Sequence, residues 1–144
     1  MNSGMASADT DAVDAQDKEY TYGKNGESSA LVAGSVVCVD ITAADGITFK
    51  LPSAANIGMP LGVLEEAVNA GAYTSKIVRK GVVTARVLGH ANMDAGASLK
   101  LVAGQRYFAL ANQAVTAGEA RPIAVIFAAY TTTSDAAKSV YVDF

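Results

Sequence analysis

His90 is the only histidine of the 144-residue chain and lies in Leu88-Gly89-His90-Ala91-Asn92, a loop-like stretch with no serine or carboxylate adjoining it. A general base needs a nucleophile or an orienting acid within reach, so a surface or turn histidine is the simpler reading. A small hydrolase would have to recruit Asp94 or Glu119 from elsewhere. Glu65 and Glu66 are adjacent; on a strand they face opposite sides and on a helix they diverge by about 100°, so neither geometry makes an acid/base pair. Cys38 is the lone cysteine, set among Val36, Val37, Val39 and Ile41. It permits no internal disulfide, argues against thiolate zinc sites and reads as a small buried hydrophobe. Asp9, Asp11 and Asp14 lack the glycine and terminal glutamate of a calcium-binding loop. Gly23-Lys24-Asn25-Gly26 is no phosphate cradle, because no Gly-Lys-Ser/Thr follows. These residues predict a noncatalytic chain with no cofactor and no metal.

Two groups suit binding better. Tyr20 and Tyr22, in Glu19-Tyr20-Thr21-Tyr22-Gly23, alternate with polar residues, so an extended strand would present both rings on one side. Such a strand either docks on an exposed sheet edge of a partner or is the first strand of the chain's own sheet. Lys76, Arg79, Lys80 and Arg86 fall within eleven residues. They would meet an acidic partner, including the chain's own N-terminal segment, or form the solvated face of a hairpin and guard its edge.

The elements that must position these residues are short strands. Residues 35–41 (SVVCVDI) and 47–51 (ITFKL) flank Ala43-Ala44-Asp45-Gly46, a hairpin pattern. Residues 75–79 and 82–88 bracket Lys80-Gly81, which predicts a second hairpin with Gly81 at the turn. Val83, Ala85 and Val87 should share one face and Thr84 and Arg86 the other. Further strands are expected at 98–102, 107–110, 123–130 and 139–142. Residues 61–68 (LGVLEEAV) fit two helical turns or a strand ending in a turn.

An internal echo accompanies these strands. Ala33-Gly34-Ser35-Val36-Val37 parallels Gly96-Ala97-Ser98-Leu99-Lys100, Thr48-Phe49-Lys50-Leu51 parallels Tyr107-Phe108-Ala109-Leu110, and Met59-Pro60-Leu61-Gly62-Val63 parallels Arg121-Pro122-Ile123-Ala124-Val125. Ser35 precedes Pro60 by 25 positions and Ser98 precedes Pro122 by 24. Either one unit occurs twice, or turn residues recur by chance. The expected fold is all-β, a small antiparallel barrel or sandwich of two similar halves with little helix, the Lys80-Gly81 hairpin lying between them.

Composition divides the chain differently. Residues 1–27 hold six acids against two bases, a net of −4, while 28–144 hold eight against nine, a net of +1. Apolar side chains larger than alanine are few in 1–27, so this arm is expected to be mobile until a partner orders it, ahead of one β-rich domain over 28–144. A net charge of −3 gives no pull toward nucleic acid or an anionic membrane. With no apolar leader and an eight-residue longest apolar run, a soluble protein without a secretion signal is expected. Hydrophobic residues make up 51% against 17% charged, which favours subunit contacts.

The runs Leu31-Val32-Ala33-Gly34-Ser35-Val36-Val37, Pro60-Leu61-Gly62-Val63-Leu64-Glu65-Glu66-Ala67 and Lys76-Ile77-Val78-Arg79-Lys80-Gly81-Val82-Val83 resemble the small capsid decoration, or cement, proteins of tailed bacteriophages. In that family a polar N-terminal arm precedes an Ala-, Gly- and Val-rich β domain. The resemblance implies a protein on the outer surface of the virion head, often a trimer, that clamps neighbouring major capsid subunits. Lambda-type members order a flexible arm on the capsid and extend one of its sheets; here that role would fall on the segment around Tyr20 and Tyr22. This chain is longer than those proteins and its arm is not proline-rich. The alternative is a virion surface adhesin or carbohydrate-binding β module, which would display aromatic rings for sugar stacking; the chain has no Trp.

Overall fold

Strand β5, Tyr73–Leu88, organises the molecule, because it belongs to two closed rings of strands. A computed structural model describes residues 18–111 and 124–144. Those residues form nine strands and no helix: β1 (Glu19–Asn25), β2 (Val36–Val39), β3 (Thr48–Lys50), β4 (Pro60–Leu64), β5, β6 (Ser98–Leu101), β7 (Phe108–Leu110), β8 (Ala124–Ile126) and β9 (Asp135–Asp143). The expected all-β barrel is therefore present. Residues 61–68 resolve into the end of β4 and a bend at Glu65-Glu66, since Gly62 disfavours helix and β4 is held as a strand by pairing with β2 and β5.

The first ring runs β1-β3-β2-β4-β5 and returns to β1, every contact antiparallel except β1–β3. The second runs β5-β7-β6-β8-β9 and returns to β5, every contact antiparallel except β5–β7. The two pairing schemes are identical once β1 is matched to the second half of β5 and the first half of β5 to β9. Residues correspond at a nearly constant offset. Val36↔Val63 and Val37↔Gly62 in the first ring become Ser98↔Val125 and Leu99↔Ala124 in the second. Gly34 N–H donates to Leu64 O (2.7 Å), and 62 positions on Gly96 N–H donates to Ile126 O (2.8 Å). Both glycines hold positive φ, +87° and +84°, which a side chain would resist.

The cores repeat too. Leu31, Val37, Phe49, Leu64, Val68 and Ile77 fill the first ring. Their counterparts Met93, Leu99, Phe108, Ile126, Tyr130 and Val140 all lie in the second core. The echo is thus a structural repeat, with one correction: the two units are not halves of one barrel, because each closes its own five-stranded ring.

The Lys80-Gly81 hairpin is a second correction. β5 runs straight through it for 16 residues. Gly81 does take a positive φ, +120°, but within a strand, at the point where the chain passes from one ring to the other. Beyond it Val83, Ala85 and Val87 are buried and Thr84 is exposed, in the expected alternation. β2, β3, β6 and β7 fall within their expected limits; β8 is shorter than 123–130, and β9 begins four residues before 139.

Residues 19–25 also move the boundary drawn at 27, since β1 pairs with both β3 and β5 and belongs to the folded body. The mobility expected of residues 1–17, together with Glu119, Arg121, Pro122 and Ile123, lies outside the described residues.

Cys38 is wholly buried on β2, and burial pushes its thiol up to about 12. The thiolate is the reactive form, so the native protein is expected to remain unlabelled by a thiol reagent at neutral pH and to take up one equivalent on unfolding. Stoichiometric labelling of the native protein would contradict this.

Candidate partner-binding surface

β1 exists as a strand because the alternation in Glu19-Tyr20-Thr21-Tyr22 gives it one inward and one outward face. Tyr20 and Tyr22 are 44% and 50% exposed and Thr21 is half-buried, so both rings lie outward as expected. Of the two alternatives for this segment, the structure shows pairing with the chain's own sheet: Tyr20 sits opposite Val78 and Thr21 opposite Ile77 on β5. Its other side is different. β3 pairs with β1 only at Lys24 and Asn25, so among the described residues no strand covers the second edge of Glu19 to Tyr22.

The rings are held in place. Tyr22 stacks on Tyr73, with centroids 5.5 Å apart and planes 13° from parallel. Lys24 Nζ lies 5.7 Å from the Tyr73 ring centre. Tyr73, 54% exposed, is a member of the patch that sequence reading missed; only its place two residues ahead of the expected strand hinted at it. Tyr20 donates its hydroxyl to Glu65 (3.1 Å), which Lys18 also reaches at 3.1 Å. Partial burial, and then the neighbouring carboxylate, push the Tyr20 phenol above its usual range. Together these make a preordered aromatic surface that loses little side-chain freedom on binding.

Lys76, Arg79 and Lys80 are exposed along the first half of β5, and the register sets Lys80 opposite both Glu19 and Asp143. Arg86 does not join them. Its Nε donates to Asp135 Oδ1 (2.8 Å) and its Nη2 to the Asp135 carbonyl (3.0 Å), while Arg106 Nε donates to the second carboxylate oxygen (2.9 Å). In the second half of β5, Arg86 is a structural tie between that strand and the start of β9. Asp135 lies 49 residues away, so spacing alone could not reveal the pairing.

The residues weighed for chemistry are dispersed. His90 is exposed and accepts the Asn92 N–H at Nδ1 (3.0 Å). Glu65 faces Lys18 and Tyr20, whereas Glu66 accepts from Thr74. Among the described residues no three His, Cys, Asp or Glu side chains converge as metal ligands. An open groove of about 420 Å³ is lined by Glu27, Asp40, Lys50, Ser53 and Asn56 among others. Its polar groups already serve one another: Asp40 accepts from Thr42 (2.6 Å) and faces Lys50 (3.8 Å), Glu27 accepts the Leu51 N–H, and Asn56 accepts the Ser53 N–H. The Thr42 hydrogen bond holds the Asp40 carboxyl below its usual range. Among the described residues no aromatic ring lines this groove.

No family model matches the chain, and no curated protein matches it.

Proposed function

We propose that this chain is a noncatalytic capsid decoration, or cement, protein of a tailed bacteriophage. It binds the major capsid protein on the outer surface of the virion head and stabilises contacts between capsid subunits. The observation that carries this reading is the uncovered edge of β1, flanked by the outward rings of Tyr20, Tyr22 and Tyr73, at the point where residues 1–17 enter the body. An open edge offers backbone hydrogen bonds to an added strand, and rigid rings beside it supply anchoring area. The exposed Lys76, Arg79 and Lys80 suit an acidic partner. The functional unit is a homo-oligomer, with a trimer favoured, and nucleic acid and membrane are not partners.

Particles lacking the protein, mixed with it and sedimented, test the reading. Wild type is expected to pellet with the particles, and Tyr22→Ala/Tyr73→Ala to bind at least about tenfold more weakly, the loss typical of aromatic anchors. Heating particles with and without the protein tests the stabilising role, which equal rupture temperatures would refute.

A second reading, a carbohydrate-binding or adhesin module, is favoured by one observation: the Tyr22–Tyr73 stack is a strongly exposed aromatic surface of the kind that sugar faces require. Glycan binding that Tyr73→Ala abolishes would select it.

A further inference from the structure

The repeat places two equivalent rows of side chains on the outer faces of the two rings, and only in the first are three of the four residues covered. In the first unit the row is Tyr20–Val78–Val63–Val36, each residue opposite the next across β1, β5, β4 and β2. In the second it is Val82–Tyr141–Val125–Ser98, across β5, β9, β8 and β6. These positions alternate with the core residues of their own strands, Ile77, Leu64 and Val37 in the first unit and Val140, Ile126 and Leu99 in the second, so both rows point outward. Yet Val36, Val63 and Val78 are 0% exposed. They are covered because the second unit sits on them, and they share its core with Phe108, Met93 and Leu99.

Nothing among the described residues covers the second row in the same way. Val82 is 43% exposed, much as its counterpart Tyr20 is, but Tyr141 is 37% exposed and Val125 and Ser98 are partly exposed where Val78, Val63 and Val36 are wholly buried. Among the described residues no further unit offers such a row to the first unit.

We propose that the Val82–Tyr141–Val125–Ser98 row is a self-association surface that takes the first unit of a second copy of this chain, head to tail. The chain itself supplies the template, since unit two already seats on the matching row of unit one. A head-to-tail contact is heterologous, so it closes into a ring where the rotation per step divides the circle and otherwise extends. Tyr141 in place of Val78 and Ser98 in place of Val36 make the second row more polar than the first, which suits reversible rather than permanent association. This inference does not rest on capsid attachment and would hold for a protein of any function.

Sedimentation velocity from about 1 μM to about 1 mM tests it, the range in which modest interfaces populate. Wild type is expected to rise above its 14.7 kDa monomer mass with concentration. Tyr141→Lys should associate at least tenfold more weakly with an unchanged melting curve, and Tyr73→Lys, on the other patch, should associate as wild type does. A labelled Tyr141→Lys protein should still bind wild type, because its first unit is intact, but not itself. Wild type that stays monomeric throughout overturns the proposal, as does Tyr141→Lys that associates normally or Tyr73→Lys that fails to. A Tyr141→Lys protein unable to bind an associating wild type would mean that two rows meet face to face, which overturns the head-to-tail arrangement.

Discussion

Replacing Gly62 by alanine is expected to lower the melting temperature by roughly 10 °C, the effect of about 3 kcal/mol in a domain of this size. Gly62 lies in β4 where it passes β5, and an added Cβ would stand 2.6 Å from the Val78 carbonyl oxygen, 2.7 Å from Ile77 Cγ2 and 3.1 Å from the Val78 carbonyl carbon. Two of these atoms are backbone in a paired strand and cannot step aside without disturbing the β4–β5 register. Alanine itself is acceptable to a strand here, since the second unit carries Ala124 at the equivalent place. The cost is therefore one of distance in the first unit. Thermal unfolding followed by circular dichroism measures it, and a shift under about 2 °C would show that β4 yields easily.

Gly23→Ala is expected to cost about 2 kcal/mol, and Ile77→Val, made alone, about 1 kcal/mol, yet in combination they should cost less than their sum by about 1 kcal/mol. A Cβ on Gly23 would meet Phe49 Cδ2 at 2.8 Å, the Ile47 carbonyl at 2.9 Å and Ile77 Cδ1 at 2.9 Å. Valine at 77 removes the last of these atoms. The second unit already holds that combination, with Ala85 at the position of Gly23 and Val140 at that of Ile77, both wholly buried. One methyl has been traded across the barrel interior. A double-mutant cycle by chemical denaturation reads the coupling; strict additivity would mean that the Phe49 and Ile47 contacts decide the matter and the trade is coincidental.

Fold class was legible because each strand advertises itself locally, through β-branched runs such as Val36-Val37-Cys38-Val39 bounded by turn residues. The repeat was legible for the same reason. Phe49 and Phe108 were matched correctly, whereas Ser35 was matched to Ser98 when hydrogen bonding aligns Gly34 with Gly96, an error of one residue. Lys80-Gly81 misled because a glycine that takes positive φ looks the same in sequence whether it sits in a turn or within a strand. What separates the two is pairing with Glu19 and Asp143, 61 and 63 residues away, and no local signal carries that. The candidate surface was half legible. The alternation of Tyr20 and Tyr22 predicted their shared exposure, but Tyr73 joins them, and Arg86 leaves the basic group, only through contacts between distant strands.

The strand common to both rings, β5, has a consequence for how the molecule comes apart. Tandem repeats ordinarily open one at a time, since each needs its neighbour only at an interface. Here the two repeats hold a backbone in common, and removing β5 deprives both rings of a wall at once. Among the described residues no linker joins the units, and a cut at Gly81 leaves each fragment with a barrel strand ending where its sheet changes partners. Opening is therefore a single cooperative event for the whole described body, with no stable half-molecule on the way.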